Sequence, residues 1–332
     1  MYVKRRYGFW LTFNWSKKPF ILGSIYALLL TIMFEFFYHK LNFDFSISWQ
    51  PISVLGIAVA FYLGFKNNAS YDRTWEARKI WGGIVNNSRT FGAAVTSFIQ
   101  GENANSIKQE LIYRHIAWLT ALRYQLRLSR EWEHAELRVK GLYVPTISET
   151  YFHNLEDEIK EILSEDEFDA YAGKTNMAAQ ILHKQMTRLQ ELKNNNYFDD
   201  FRHMELYELL AEFYADQGRS ERIKNFPFPR QYASVAYWMT LLFSLLTPFG
   251  LLNIFHDLKS HTVWLTIPFS GLIIWIFYLM EMIGDYSENP FEGTYNDVPI
   301  TSISRSIEID LREMLGEKNI PKPITPTDGF LM

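Results

Sequence analysis

The chain has no cysteine at all. Disulfides, thiolate nucleophiles and Cys-ligated metals are excluded with it. Catalytic signatures are missing too. None of the eight histidines stands in an HExxH pattern or beside an obvious carboxylate co-ligand, and there is no GxSxG, Walker loop or GxGxxG. No convergent set of catalytic groups is left, so an enzyme is not expected. A net charge of −4, with no basic stripe beside stacking aromatics, leaves nucleic acid out as a partner. Period-two alternation is absent as well, and an all-α fold is expected.

Apolar and aromatic residues are abundant instead. Nineteen Tyr, 26 Phe and 10 Trp make a load typical of interfaces and membrane boundaries. A mean hydropathy of −0.13 looks too polar for a membrane protein. The average hides a split, because long apolar runs near both ends flank a charged stretch. Four runs reach or approach the length that crosses a hydrocarbon core of roughly 30 Å: residues 19–38, 51–66, 232–255 and 262–283. The first holds one charge, Glu35, near its far end where headgroups reach. The third contains Pro248, which should kink or end it. Short links at 39–50 and 256–261 put both termini, residues 67–231 and the tail 284–332 on one side. Lys4, Arg5, Arg6, Lys17 and Lys18 make that side cytoplasmic, which predicts a multi-pass protein of the cell (inner) membrane. The apolar run behind them is too long for a cleaved signal and no cleavage site follows, so it is a retained helix.

The second run, PISVLGIAVAFYLGFK, carries two rows at a spacing of four. Gly56, Ala60 and Gly64 form a small row; Ile57, Phe61 and Phe65 form a bulky one beside it. A small row lets another helix approach closely. The bulky row would then face the centre of an assembly, and in a ring of copies it would form a hydrophobic constriction. The pattern taken alone also fits a packed core helix. The run is short for a span, but its helical pattern continues past Lys66 to about residue 100, as for a helix that begins in lipid and leaves it.

Residues 102 to about 228 read as soluble helices. ANSIKQELIYRHIAWLTALRYQLRLSREW has apolar residues at three-and-four spacing with Ser106 as its cap, residues 147–171 form an acidic amphipathic pair, and two helices from Thr175 break near Asn194–Asn196. The acidic run Glu156–Asp169 reads as a solvated face. In the tail, Thr301–Leu315 is amphipathic. Its Ile303, Ile307 and Leu311 must bury, and the adjacent subunit is one candidate partner. No repeat is visible, and residues 1–332 are expected as one architectural unit.

GFKNNASYDRTWEARKIWGG (64–83), RSERIKNFPFPRQY (219–232) and SENPFEGTYNDVPITSISRSIEIDL (287–311) resemble segments of the bestrophin family, particularly its bacterial members. The motif residues include Asp72, Arg73, Trp75 and Glu76. The resemblance implies a homopentameric ion channel: four spans per subunit, a narrow hydrophobic neck, and a large helical cytosolic part arranged as a barrel around a central pore. It maps the neck onto Ile57, Phe61 and Phe65. A second constriction at the cytosolic exit maps to TNMAAQI, with Met177 or Ile181 as its side chain. Animal members bind calcium through an acidic run after Asn-Pro-Phe. Here Asn289-Pro290-Phe291 is followed by EGTYNDVP, with Glu292 and Asp297 too far apart for a close-spaced oxygen cage, so no cofactor is expected.

The implied partners are sister subunits, lipid and monovalent ions. Phenylalanine edges are positive and faces negative, so edges pointing inward favour anions. Bacterial members, by resemblance, can also pass cations; chloride is favoured and both stay open. Asp72, Arg73, Glu76, Arg78 and Lys79 either form a charged ring or pair along and between helices. Pairing is favoured, with Arg73 and Glu76 buried beside Trp75 and Lys66 snorkelling to the interface. The rival function is a membrane-anchored scaffold without conduction.

Overall fold

A computed structural model describes residues 1–134, 155–258 and 260–332, with only the backbone at 260 and 261. Residues 147–154 of the expected acidic pair and position 259 of the second link lie outside the described residues. In chain order the helices are α1 (Phe9–Leu41), α2 (Trp49–Phe98), α3 (Ala104–Arg127), α4 (Leu155–Lys160) and α5 (Glu165–Tyr171). They continue with α6 (Met177–Asn194), α7 (Asp200–Asn225), α8 (Arg230–Leu258), a 3₁₀ turn (Ser260–Leu265), α9 (Thr266–Asp285) and α10 (Ile300–Met314). The described residues contain no sheet, only isolated bridges of Phe330 with Tyr2 and Thr327. Four helical segments are long and apolar enough to cross a membrane: Phe9–Leu41, Trp49–Phe98, Arg230–Leu258 and Thr262–Asp285.

Two compact units can be described within the chain. The spanning unit comprises Lys4–Asp72 and Phe228–Glu288; the helical unit comprises Met1–Val3, Arg73–Pro227 and Asn289–Met332. In the spanning unit α1 packs along α9, and α8 packs against both. The positions that α1 buries include Ser16, Gly23, Ala27 and Thr31, the small residues that let membrane helices approach. Some of the buried hydroxyls bond back to their own helix, Thr31 donating to the Ala27 carbonyl at 2.8 Å and Ser244 to that of Thr240 at 2.7 Å, while those of Thr240, Thr266 and Ser270 have no partner among the described residues. Pro248 does not end α8, which runs ten residues further to Leu258. Spans tolerate an internal proline where packing compensates, and Pro248 lies among the buried residues of α8.

The helical unit has an ordinary apolar core. Trp81, Phe91, Trp118, Phe213, Ile307 and Leu311 are among its buried members, and α3 runs through it, touching α4, α6, α7 and α10. The expected cap of α3 at Ser106 is replaced by Asn103, in the left-handed region at φ 61° and without a side-chain cap bond. α6 and α7 are capped by side chains: Asn176 accepts from the Ala179 amide at 3.0 Å and Asp199 from the Arg202 amide at 2.9 Å. The tail helix needs no neighbour to bury its face. Ile307 and Leu311 are fully buried in the core of their own chain and Ile303 packs on its edge.

Candidate functional site

The first half of α2 presents two different faces in the spanning unit. Ile52, Val59 and Leu63 are buried against α8 residues including Phe243. On the open side, Ile57, Phe61 and Phe65 are 60%, 67% and 63% exposed, one helical turn apart. The Phe61 and Phe65 rings lie 6.5 Å apart at 38°. The polar Asn68 and Asp72 continue that line, the Asn68 amide donating to Asp72 at 3.5 Å.

The small row does not act as one surface. Gly56 is buried against Phe243, whose Cε2 would stand 2.8 Å from a Cβ placed there. Ala60 is half-buried and Gly64 is open, with nothing within 4 Å of the same construction. The reason is helical drift: each step of four residues overshoots a full turn by about 40°, so the row winds from one face to the next. Gly56 therefore serves contact within the subunit, and only the later members are free for another helix.

Lys66 closes this stretch, and the snorkelling expectation is corrected. Its side chain is 0% exposed, its ammonium 2.8 Å from Glu281 and 3.8 Å from Asp285 of α9. Gly284 leaves the room, because a Cβ there would meet Lys66 Cγ at 3.3 Å and run into Asn67. At the start of α8, Arg230 donates to the buried Glu288. Burial pushes the Glu288 carboxyl up, and Arg230 offsets part of that.

In the helical unit the family segments meet one another. Arg73 donates to the Ile223 and Phe226 carbonyls at 3.1 and 2.9 Å, placing a cation at the C-terminus of α7. Arg222 reaches Glu76 at 2.5 Å. Arg73 is thus half-buried, while Glu76 and Trp75 are 43% and 47% exposed, which corrects the expected burial of this group. Lys224 pairs with the buried Glu133 at 2.5 Å, and the neighbouring His134 binds Glu292 through its amide and ring. Arg127 donates to Asp297 at 2.8 Å, both fully buried. Sequence reasoning missed these long-range pairs. A run of residues cannot reveal partners more than 90 positions away.

Of the two residues mapped to the cytosolic exit, Ile181 is 0% exposed in the core and has no surface to offer a passage. Met177, the first residue of α6, keeps part of its surface. The 289–297 loop does not fit a calcium ion. Glu292 already accepts from His134 and Asn289, and Asp297 from Arg127, Thr294 and the Gly293 amide. Protein donors engage the carboxylates that a cage of calcium-ligating oxygens would need.

The model for bacterial and fungal bestrophin proteins matches residues 4–313 of this chain. The chain belongs to the bestrophin family. This bestrophin is 28% identical over 313 residues to the voltage-dependent anion channel-forming protein mll4386 of Mesorhizobium japonicum, covering 94% of this chain and 88% of that protein. It is 28% identical over 307 residues to the voltage-dependent anion channel-forming protein YneE of Escherichia coli K12, covering 92% and 88%. The crystal structure of a bacterial bestrophin homologue from Klebsiella pneumoniae superposes with a TM-score of 0.75 at 22% identity, covering 91% of this chain and 98% of that one. The fold is thus a bestrophin fold, and the chain is a multi-pass membrane protein.

Proposed function

We propose that this bestrophin is a homopentameric channel that passes monovalent anions, chloride among them, through a neck formed by Ile57, Phe61 and Phe65. One observation carries the reading: three large apolar side chains stand open at one-turn steps on the helix whose other face is packed, and the line runs on into Asn68 and Asp72. A narrow apolar ring excludes water and so gates conduction. Ring edges turned inward favour anions, and the relatives named as anion channel-forming proteins support that sign. Ala60 and Gly64 then face the neighbouring subunit, and Met177 sits at the cytosolic exit. Both termini are cytoplasmic and the membrane is the inner one, as the basic N-terminal segment favours.

The test is ion flux from liposomes holding the pure protein. Chloride should outrun potassium, and Phe61→Ala or Phe65→Ala should raise conductance several-fold with the oligomer intact. A mass in detergent other than five subunits overturns the pentamer. Absence of flux at every potential and pH leaves the scaffold instead.

A further inference from the structure

The spanning unit has a second open feature, away from the α2 stripe. A groove of about 340 Å³ lies between α1, α8 and α9. Leu22, Leu241, Leu245 and Ile274 make its walls apolar. Lys18 stands at one end, exposed and without an ion pair among the described residues. Tyr237 and Tyr278 line the groove with rings 6.5 Å apart and nearly perpendicular, and no hydrogen bond engages either hydroxyl among the described residues. Tyr26 is different, its hydroxyl donating to the Leu245 carbonyl at 3.0 Å.

These groups have a common depth. Lys18 is nine residues into α1, directly before its apolar run, Tyr237 is seven residues into α8, and Tyr278 is seven residues before the end of α9. All three therefore lie toward the side that carries the basic N-terminal segment. Tyr26, eight residues beyond Lys18, is about 12 Å deeper. The groove thus runs from a cationic, hydroxyl-bearing mouth into an apolar slot within the hydrocarbon region.

We propose that this groove holds an anionic phospholipid of the cytoplasmic leaflet. One acyl chain lies along Leu22, Leu241, Leu245 and Ile274, and the phosphate meets the Lys18 ammonium with the Tyr237 and Tyr278 hydroxyls as donors. Charge complementarity selects this occupant. No acidic residue lines the groove, so a second copy of the chain would have to supply a carboxylate or leave Lys18 unpaired at the membrane border. Lys17 neighbours Lys18 in sequence and the same N-terminal segment carries Lys4, Arg5 and Arg6, a basic stretch of the kind that concentrates anionic lipids. The site does not depend on the conduction proposed above.

The experiment titrates the full-length oligomer in detergent with phosphatidylglycerol, with phosphatidylcholine of the same acyl chains, and with inorganic phosphate. Native mass spectrometry counts the lipids retained. One lysine near an anionic surface corresponds to about a five-fold preference for phosphatidylglycerol. Lys18→Gln should remove that preference, Lys18→Arg should keep it, and Leu22→Trp should lower retention of both lipids by filling the slot. Size exclusion checks that each variant assembles. Equal retention of the two lipids overturns the proposal, as does a preference that survives Lys18→Gln. Displacement of the lipid by phosphate alone would reduce the site to an anion site. Dissociation of the oligomer by Leu22→Trp, with an unchanged lipid count, would assign the groove to a second copy.

Discussion

The two units of this bestrophin are built inside out with respect to each other. In the spanning unit Leu22, Phe61 and Trp238 stand outward, while Ser16, Thr31, Thr240, Thr247 and Ser270 are enclosed. In the helical unit Trp81, Trp118 and Leu311 are enclosed in an apolar core. Water rewards the second arrangement by removing apolar area from itself. Lipid does not distinguish apolar surface in from apolar surface out, so close packing of small residues decides what lies inside. The two orders, in one chain, mark the two solvents independently of any hydropathy average.

Charge inside the spanning unit is where the contrast can be broken most severely. Lys66 is enclosed at the end of the span, held by Glu281 at 2.8 Å. Lys66→Met leaves Glu281 without its nearest cation, and such a loss costs about 3–5 kcal/mol. Thermal unfolding of the purified oligomer should show this as a large drop in midpoint. The double variant Lys66→Met with Glu281→Leu should recover most of it, because a well-packed apolar pair often replaces a buried ion pair at no cost. If the double variant is as unstable as the single, the pair does more than neutralise charge.

Next in size is a pH effect confined to the helical unit. His115 is fully enclosed among Phe91, Trp118 and Phe213, with one ring nitrogen 2.9 Å from the Ser88 hydroxyl. Burial lowers its pKa to about 3 from 6.5. The folded-state value is depressed, so the unfolded chain takes the proton first. Stability is full above pH 6.5 and declines as pH falls toward 3. Between pH 6.5 and 5 the loss is about 2 kcal/mol. His115→Phe should flatten that slope in a pH series of unfolding midpoints, and an unchanged slope would place the titrating group elsewhere.

Part of this was legible in the sequence. The four apolar runs, the long continuation of α2 and the break at Asn194–Asn196 all follow from local pattern, which is what a helix records. Individual side chains were harder. The small row was visible, but only the packed structure gives Gly56 to Phe243 and leaves Gly64 open. Lys66 looked like an interfacial lysine because its partner on α9 is 215 residues away. Ile181 and Met177 were indistinguishable from sequence because both sit near the start of α6, and one turn of helix separates core from surface. At Pro248 a kink or an end is expected because water punishes a helical proline more than a packed span does.

The smallest expected effect is the most discriminating for the α2 stripe. Phe61 is open in the single subunit, so three environments are conceivable for it in the assembly. Packed against a sister helix, Phe61→Ala would cost about 3–5 kcal/mol, as for any enclosed aromatic. Against lipid it would lose a few tenths of a kcal/mol of insertion energy and leave ion flux alone. Facing a lumen, it would leave the unfolding midpoint nearly unchanged while the conductance rises. The third outcome is expected. It requires two measurements on one variant, an unfolding curve and a flux trace, because a change in flux accompanied by a core-sized loss of stability would point to a damaged seam between subunits and not to a widened neck.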